Sequence, residues 1–430
     1  MDGPLSDLRI LELGGDVAVR YCGRLFALLG AAVTRLDSAA GDDRIGRGGA
    51  SGEAFGRWLD EGKQAGDGAA FNLVICGQDL AAVAAAERLV KGFEGAPVLL
   101  RLTWFGLDGP YADWTGNDAI LQALSGVAYT FGEEAGPPVL AQGHAPQIVA
   151  GLTAFIAAQA ALMGEARPAR IDVNVLEAAL CFAETGAVAK ARVKRLGVNR
   201  YSPTYPCSIY PTTDGCVGVT ALTLAQWISL CGLIGRKDLA EDRRFQTTHG
   251  RLRHADEIDA LLTPYFAERS TMRWVNDGIA QRIPMTPVPR PGELPAHEHW
   301  GSRGAFASVP GGSAEAPIAP FRFAWKGASA ARPPGGEHGP LTGVRVADFS
   351  MGWAGPLAAR YFADLGADVL KIESAHRMDW WRGWEEIEGQ DLPSAEIQRN
   401  FLAVNRNKRG LDLDLSSGQG LDRARGLIAR

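Results

Sequence analysis

Several signatures are missing from this 430-residue chain, and each absence removes a class of protein. The six cysteines (Cys22, Cys76, Cys181, Cys207, Cys216 and Cys231) show no CxxC spacing. The N-terminus MDGPLSDLRI has neither the basic nor the apolar region of a secretion signal. A reducing, cytoplasmic location is therefore expected. No basic block and no long apolar run stand out, and the formal net charge of -5 is modest, so neither a nucleic-acid nor a membrane partner is expected. The phosphate-binding pattern GxGxxG does not follow the first strand-like segment, which argues against a nicotinamide or flavin enzyme, and GxSxG is absent, which argues against an α/β-hydrolase. No metal site is expected: His297, Glu298 and His299 lie in a proline-rich stretch without a third ligand in spacing.

What is present is alternation. Leu8 to Leu13 reads as a strand, Val17 to Leu29 as a helix broken at Gly30, and Ala32 to Leu36 as a second strand. Further strands are expected at Asn72 to Cys76, Pro97 to Thr103 and Arg170 to Val175, with a helix over Leu80 to Val90. This order predicts an α/β fold with a doubly wound, Rossmann-like parallel sheet, whose ligands sit at the carboxyl ends of the strands. Gln147 to Met163 is apolar and alanine-rich enough to read as a buried helix. Composition changes after Arg200, and a Pro/Gly-rich stretch follows Pro310. The expected organisation is a large domain over 1–200, a smaller α+β domain over 201–310, a linker over 311–339, and a further segment over 340–430.

The final segment repeats the first. PLSDLRILELGGDVAVRYCGRLFALLGAAVTRLDS (4–38) returns as PLTGVRVADFSMGWAGPLAARYFADLGADVLKIES (340–374) without a gap. Pro-Leu, Arg, Leu-Gly-Ala and Ser fall in register, which predicts a duplicated unit whose second copy is incomplete at Arg430.

The second copy, with AGPLAARYFADLGADVLKIES followed by NFLAVNRNKRGLDLDL, resembles the opening of the family III (CaiB/BaiF-type) CoA-transferases. In the first copy the likeness rests on WFGLDGPYADWTGNDAILQALSG, the GEEAGPP turn, RIDVNVLEAAL, YPTTDG, LIGRKDLAEDRRF and the closing GGEHG. The resemblance implies a large Rossmann-like domain and a small one, in two subunits interlocked like rings, here as a homodimer or an intramolecular pseudo-dimer. It also implies transfer of CoA from an acyl-CoA to a carboxylic acid through anhydride and thioester intermediates on an aspartate, with the CoA thioester as substrate and no permanently bound cofactor. The position matching that aspartate, four residues before Gly151, holds Gln147, and no aspartate occurs between Asp118 and Asp172. The first copy is thus expected to lack the nucleophile, Glu133 and Glu134 being the nearest substitutes, and the chain alone to be inactive in transfer. Gln147 could still fill an acyl pocket. Asn117 stands where a racemase of this fold would place a histidine, and His144 stands near the expected acyl site, either to move a proton or as a loop histidine without a role. Arg44 in the first copy, and Arg406, Lys408 and Arg409 in the basic turn Asn405 to Arg409 of the second, are the expected CoA-phosphate ligands. The residues facing that turn in the first copy, Asp60 and Glu61, would repel a phosphate. Trp380, Trp381 and Trp384 could cover an adenine or pack as structure. A non-catalytic acyl-CoA-binding subunit and a racemase or isomerase of the same fold are the alternatives.

Overall fold

The computed structural model describes residues 3–36, 50–65, 70–78, 80–93, 95–163, 170–182, 197–200, 204–322, 339–382 and 398–429. They divide into two compact units, one comprising 1–128, 140–192 and 307–430, the other 129–139 and 193–306.

The first unit is built on six strands. β1 (Arg9–Leu13) leads through α1 (Val17–Leu28) to β2 (Ala32–Leu36), then α2 (Ala50–Asp60), β3 (Gln64–Ala65), β4 (Leu73–Gly77), α3 (Leu80–Val90) and β5 (Val98–Thr103). After α4 (Asp118–Leu124) and the long α5 (Ala145–Met163) come β6 (Arg170–Asn174) and α6 (Val175–Ala179). The strand order is β3-β2-β1-β4-β5-β6, and every pairing is parallel. That is the doubly wound order, with its switch point between β1 and β4. The β4 run LVICG is buried at every position, as a strand covered on both faces must be. Backbones meet closely at the switch point: a Cβ on Gly14 would lie 2.7 Å from the Gly77 carbonyl oxygen, so only glycine, at φ 121°, fits there.

α5 packs into the core along one face. Its buried residues (Pro146, Gln147, Ala150, Gly151, Ala154, Ala158, Ala161 and Leu162) form one stripe, while Leu152 on another face is 38% exposed. The small residues let α1 approach: a Cβ on Gly151 would sit 2.8 Å from the Ala18 carbonyl oxygen. Nineteen residues of this hydropathy could cross a membrane by length and composition; here the stripe belongs to the same core cluster as the sheet.

The second unit has its own core. β7 (Cys207–Pro211), β8 (Cys216–Thr220) and β9 (Met285–Pro287) form an antiparallel sheet. Around it pack α7 (Leu224–Leu233), α8 (Lys237–Glu241), α9 (Thr248–Arg253), α10 (Ala255–Phe266) and α11 (Thr271–Ala280), with α12 (Glu298–Arg303) beyond. Arg251 is buried there and gives its guanidinium to the carbonyls of Tyr205, Phe245 and Ala221; burial lowers its pKa to about 10.

After a two-stranded pair, β10 (Phe306–Ser308) and β11 (Glu315–Pro317), the repeated segment forms a small parallel sheet. It runs β12 (Arg345–Asp348), α13 (Ala354–Asp364), β13 (Asp368–Glu373), α14 (Arg399–Asn405), β14 (Arg409–Asp412) and α15 (Gly418–Ile428). The register repeats that of the opening residues. Arg9 faces Ala32 and Arg345 faces Asp368, each partner displaced by 336 positions; Thr34 faces Gln64 as Leu370 faces Arg409.

Candidate functional site

The two repeats share a buried ion pair, and it alters the reading of the basic turn. Lys63 gives its ammonium to Glu12 at 2.7 Å, to the Arg20 carbonyl at 2.8 Å and to Asp60 at 3.5 Å. Lys408 does the same to Asp348 at 2.9 Å, the Pro356 carbonyl at 2.8 Å and Asn405 at 2.8 Å. An ammonium has three protons, and all three are engaged. The Lys408 side chain is 1% exposed. Contrary to expectation it is a structural cation that ties the end of β12 to the start of α13, with no donor left for a phosphate. Burial pushes the Glu12 carboxyl up despite Lys63. Burial acts on Asp348 in the same sense, but hydrogen bonds from Ser350 and Lys408 outweigh it and hold that carboxyl below its ordinary value. Glu12 is the more deeply buried of the two and faces the Asp60 carboxylate, and Gly14 offers it no hydroxyl where the second repeat has Ser350.

Arg406 pairs with Asp364 at 2.9 Å and Arg409 with Asp368 at 2.6 Å; both side chains remain half or more exposed. Arg44 lies outside the described residues, as does Trp384. In the first repeat Asp60 and Glu61 do not stand as free acids. Asp60 receives Arg20 and Arg35 at 2.5 Å each, and Glu61 receives Arg24 at 3.0 Å. Arg24 also donates to the Trp58 carbonyl, as Arg360 does to that of Ala403.

The other cluster forms where α4 and α5 begin. Asn117 caps α4, its side chain accepting from Ile120 N–H at 3.0 Å, which uses it for structure and not as a base. That cap sets Asp118 in the first turn. Gly143, at φ 88°, turns the chain into α5, and the His144 carbonyl takes the Ile148 N–H at 2.9 Å. Two side chains of this turn converge on one oxygen: Gln147 Nε2 and His144 Nδ1 each lie 2.8 Å from Asp118 Oδ2. Gln147 is 5% exposed, and its Oε1, like Asp118 Oδ1, is buried without a donor among the described residues. His144 is 45% exposed at its side chain and stacks on Phe55 of α2, ring centroids 5.5 Å apart and planes at 9°. The Asp118 hydrogen bond raises the His144 pKa above its ordinary value, against the opposing effect of partial burial.

Sequence reasoning named Gln147 and His144 but missed Asp118, although it directly follows Asn117 in a capping position. Glu133 and Glu134 belong to the smaller unit, where they line a polar cavity of about 830 Å³ with Arg200, His249, Arg253 and Asp259. Among the described residues no group of three potential ligands gathers for a metal; His297 instead caps α12 by accepting from His299 N–H.

A doubly wound sheet with a polar niche at the start of its buried helix defines a Rossmann-like α/β protein. The chain belongs to CoA-transferase family III, whose family model matches residues 96–339 and 341–430. It is 29% identical over 360 residues to a probable CoA-transferase of Mycobacterium tuberculosis, covering 75% of this chain and 44% of that protein, so the chain spans less than half of that relative's length. It is 27% identical over 306 residues to succinate–glutarate CoA-transferase of Agrobacterium fabrum, covering 63% and 75%. The fold is that of a CaiB/BaiF family protein from Brucella suis, with a TM-score of 0.62 at 22% identity over 75% of this chain and 93% of that one.

Proposed function

We propose that the chain is the leading part of a tandem family III CoA-transferase, acting on acyl-CoA and a carboxylic acid in the cytoplasm, with a first copy that has lost its nucleophile. The observation that carries this is Gln147, buried in the first turn of α5 with its amide spent on Asp118. An amide has neither the charge nor the nucleophilicity to open a thioester as a mixed anhydride. Duplication is supported by the repeated strand registers and by the two lysines that reach equivalent carboxylates. The two copies would then stand in for the two subunits of a homodimer, and the aspartate that transfers CoA would come from the other copy.

The test is calorimetry with CoA and succinyl-CoA, joined to chromatography of CoA exchange onto a panel of dicarboxylic acids. The chain should bind CoA and fail to exchange it, and Gln147→Asp should gain exchange. Exchange by the unmodified chain would overturn the loss of the nucleophile, and no binding of CoA or succinyl-CoA would overturn the site.

A further inference from the structure

Gln147 closes one chemical route at this site, but its neighbours open another. His144 is held at three points: by Asp118 at Nδ1, by Phe55 against its face, and by its own carbonyl at the head of α5. A carboxylate bound at Nδ1 fixes the tautomer and leaves Nε2 as the basic nitrogen. Nε2 meets no protein partner among the described residues, and the side chain is nearly half exposed. Asp118, by contrast, is 14% exposed, so solvent does little to loosen the pair. A carboxylate orients an imidazole that is partly open to solvent, at the position where the resemblance puts this family's acyl chemistry.

We propose that His144 and Asp118 form a general-base dyad that directs water onto an acyl-CoA thioester, so that the first copy hydrolyses where its relatives exchange. This rests on the reading of the niche as an acyl-CoA site. Water gives a proton to His144 Nε2 while its oxygen forms a bond to the thioester carbonyl carbon, and the carbonyl electron pair moves to oxygen. When that pair returns, the carbon–sulfur bond breaks, and the imidazolium proton passes to the departing thiolate. The products are one carboxylic acid and one CoA thiol, with no other reactant.

Two further features fit this step. The N–H groups of Ala145 and Gln147 precede the first intrahelical bond of a 19-residue helix, whose amino end favours a developing oxyanion. Gln147 Oε1 is buried and has no donor among the described residues, so it is an acceptor for a hydrogen bond from an O–H admitted beside it. Asp118 is the positioning residue and His144 the catalytic one.

The experiment measures thiol release from acetyl-CoA and decanoyl-CoA with a disulfide reagent. In parallel, calorimetry follows binding of a thioether analogue of decanoyl-CoA, which cannot be hydrolysed. The full chain is compared with His144→Ala, Asp118→Asn and His144→Ala/Asp118→Asn. Hydrolysis should fall on the order of 100-fold or more in His144→Ala while thioether binding stays within about threefold. Asp118→Asn keeps an acceptor for Gln147; it should lower the rate and move the pH midpoint of hydrolysis down toward that of an ordinary histidine. The double variant should lose little beyond His144→Ala. Thioether binding without hydrolysis, or hydrolysis indifferent to His144→Ala, overturns the dyad and leaves the CoA site standing. Failure to bind the thioether removes both.

Discussion

Replacing Gln147 by Glu changes one atom and inverts the electrostatics of the niche. The Gln147 amide now donates to Asp118 Oδ2 at 2.8 Å; a glutamate places carboxylate against carboxylate. Two unit charges about 4 Å apart at an effective dielectric constant near 20 repel by about 4 kcal/mol. The protein avoids this by holding a proton. For a glutamate of ordinary pKa about 4.3, that costs about 4 kcal/mol at pH 7 and about 1 kcal/mol at pH 5. The sign follows from linkage: the folded carboxyl has the raised pKa, so the folded state keeps a proton that the unfolded state releases, and stability falls as pH rises from about 4 to about 7. Protonated His144 would cushion the pair at the acid end and act in the same direction. Adding Asp118→Asn restores an amide–carboxylate hydrogen bond with the roles reversed, and should bring stability back to within about 1 kcal/mol of the parent. Urea midpoints of the parent, Gln147→Glu, Asp118→Asn and the double variant at pH 5 and pH 8 are the assay. A gap between Gln147→Glu and the double variant that is equal at both pH values would refute the reasoning.

Other perturbations address the packing that holds the niche. Lys63→Met takes both ammonium hydrogen bonds from the fully buried Glu12 and leaves it Arg35 at 3.8 Å, so it should cost about 3 kcal/mol in urea denaturation; adding Glu12→Leu should recover most of it. Gly151→Ala drives a methyl to 2.8 Å from the Ala18 carbonyl oxygen and should cost about 1–3 kcal/mol, read as a lowered melting temperature. The His144 pKa is raised in the folded state, so its pairing stabilises fully below about pH 6.5 and is lost as pH climbs through the folded value. The pH-dependent part of the advantage of wild type over His144→Ala should therefore be greatest near pH 5.5 and gone by pH 9, leaving the pH-independent stacking on Phe55. It should stay below about 1 kcal/mol, because the ring is nearly half exposed. An imidazole titration by NMR that shows an ordinary histidine pKa would contradict it.

The sheet was legible because its signals are local. β2 and α3 begin and end where alternation and Gly30 place them, and the other expected strands shift by a residue or so, while the two-residue edge strand β3 was not expected. α5 was legible as a core helix, although an alanine-rich sequence, apolar all round, does not show which face is covered. The site was harder to read for a different reason. A basic turn shows charge but not burial, so Lys408 read as a phosphate ligand when it serves Asp348 at a separation of 60 residues. Asp118 meets Gln147 across 29 residues, a pairing set by how two helices begin and invisible to any pattern within either one. An acid inside an apolar strand, Glu12 in ILEL and Asp348 in VADF, was the available sign of a buried cation.

The register of the two repeats also marks a splice point. Equivalent residues are offset by 336 through β2 and β13, as in Arg24 and Arg360, but by 345 from α2 and α14 onward, as in Lys63 and Lys408. The connection between them is nine residues longer in the second repeat, and the lysine still arrives at the same carboxylate. Chain length there is decoupled from the fold, because lengthening a loop adds little closure entropy. An epitope, a fluorophore-bearing peptide or a protease site inserted between β2 and α2 should leave the lysine pairing intact, giving this family a place to attach a reporter beside its sheet.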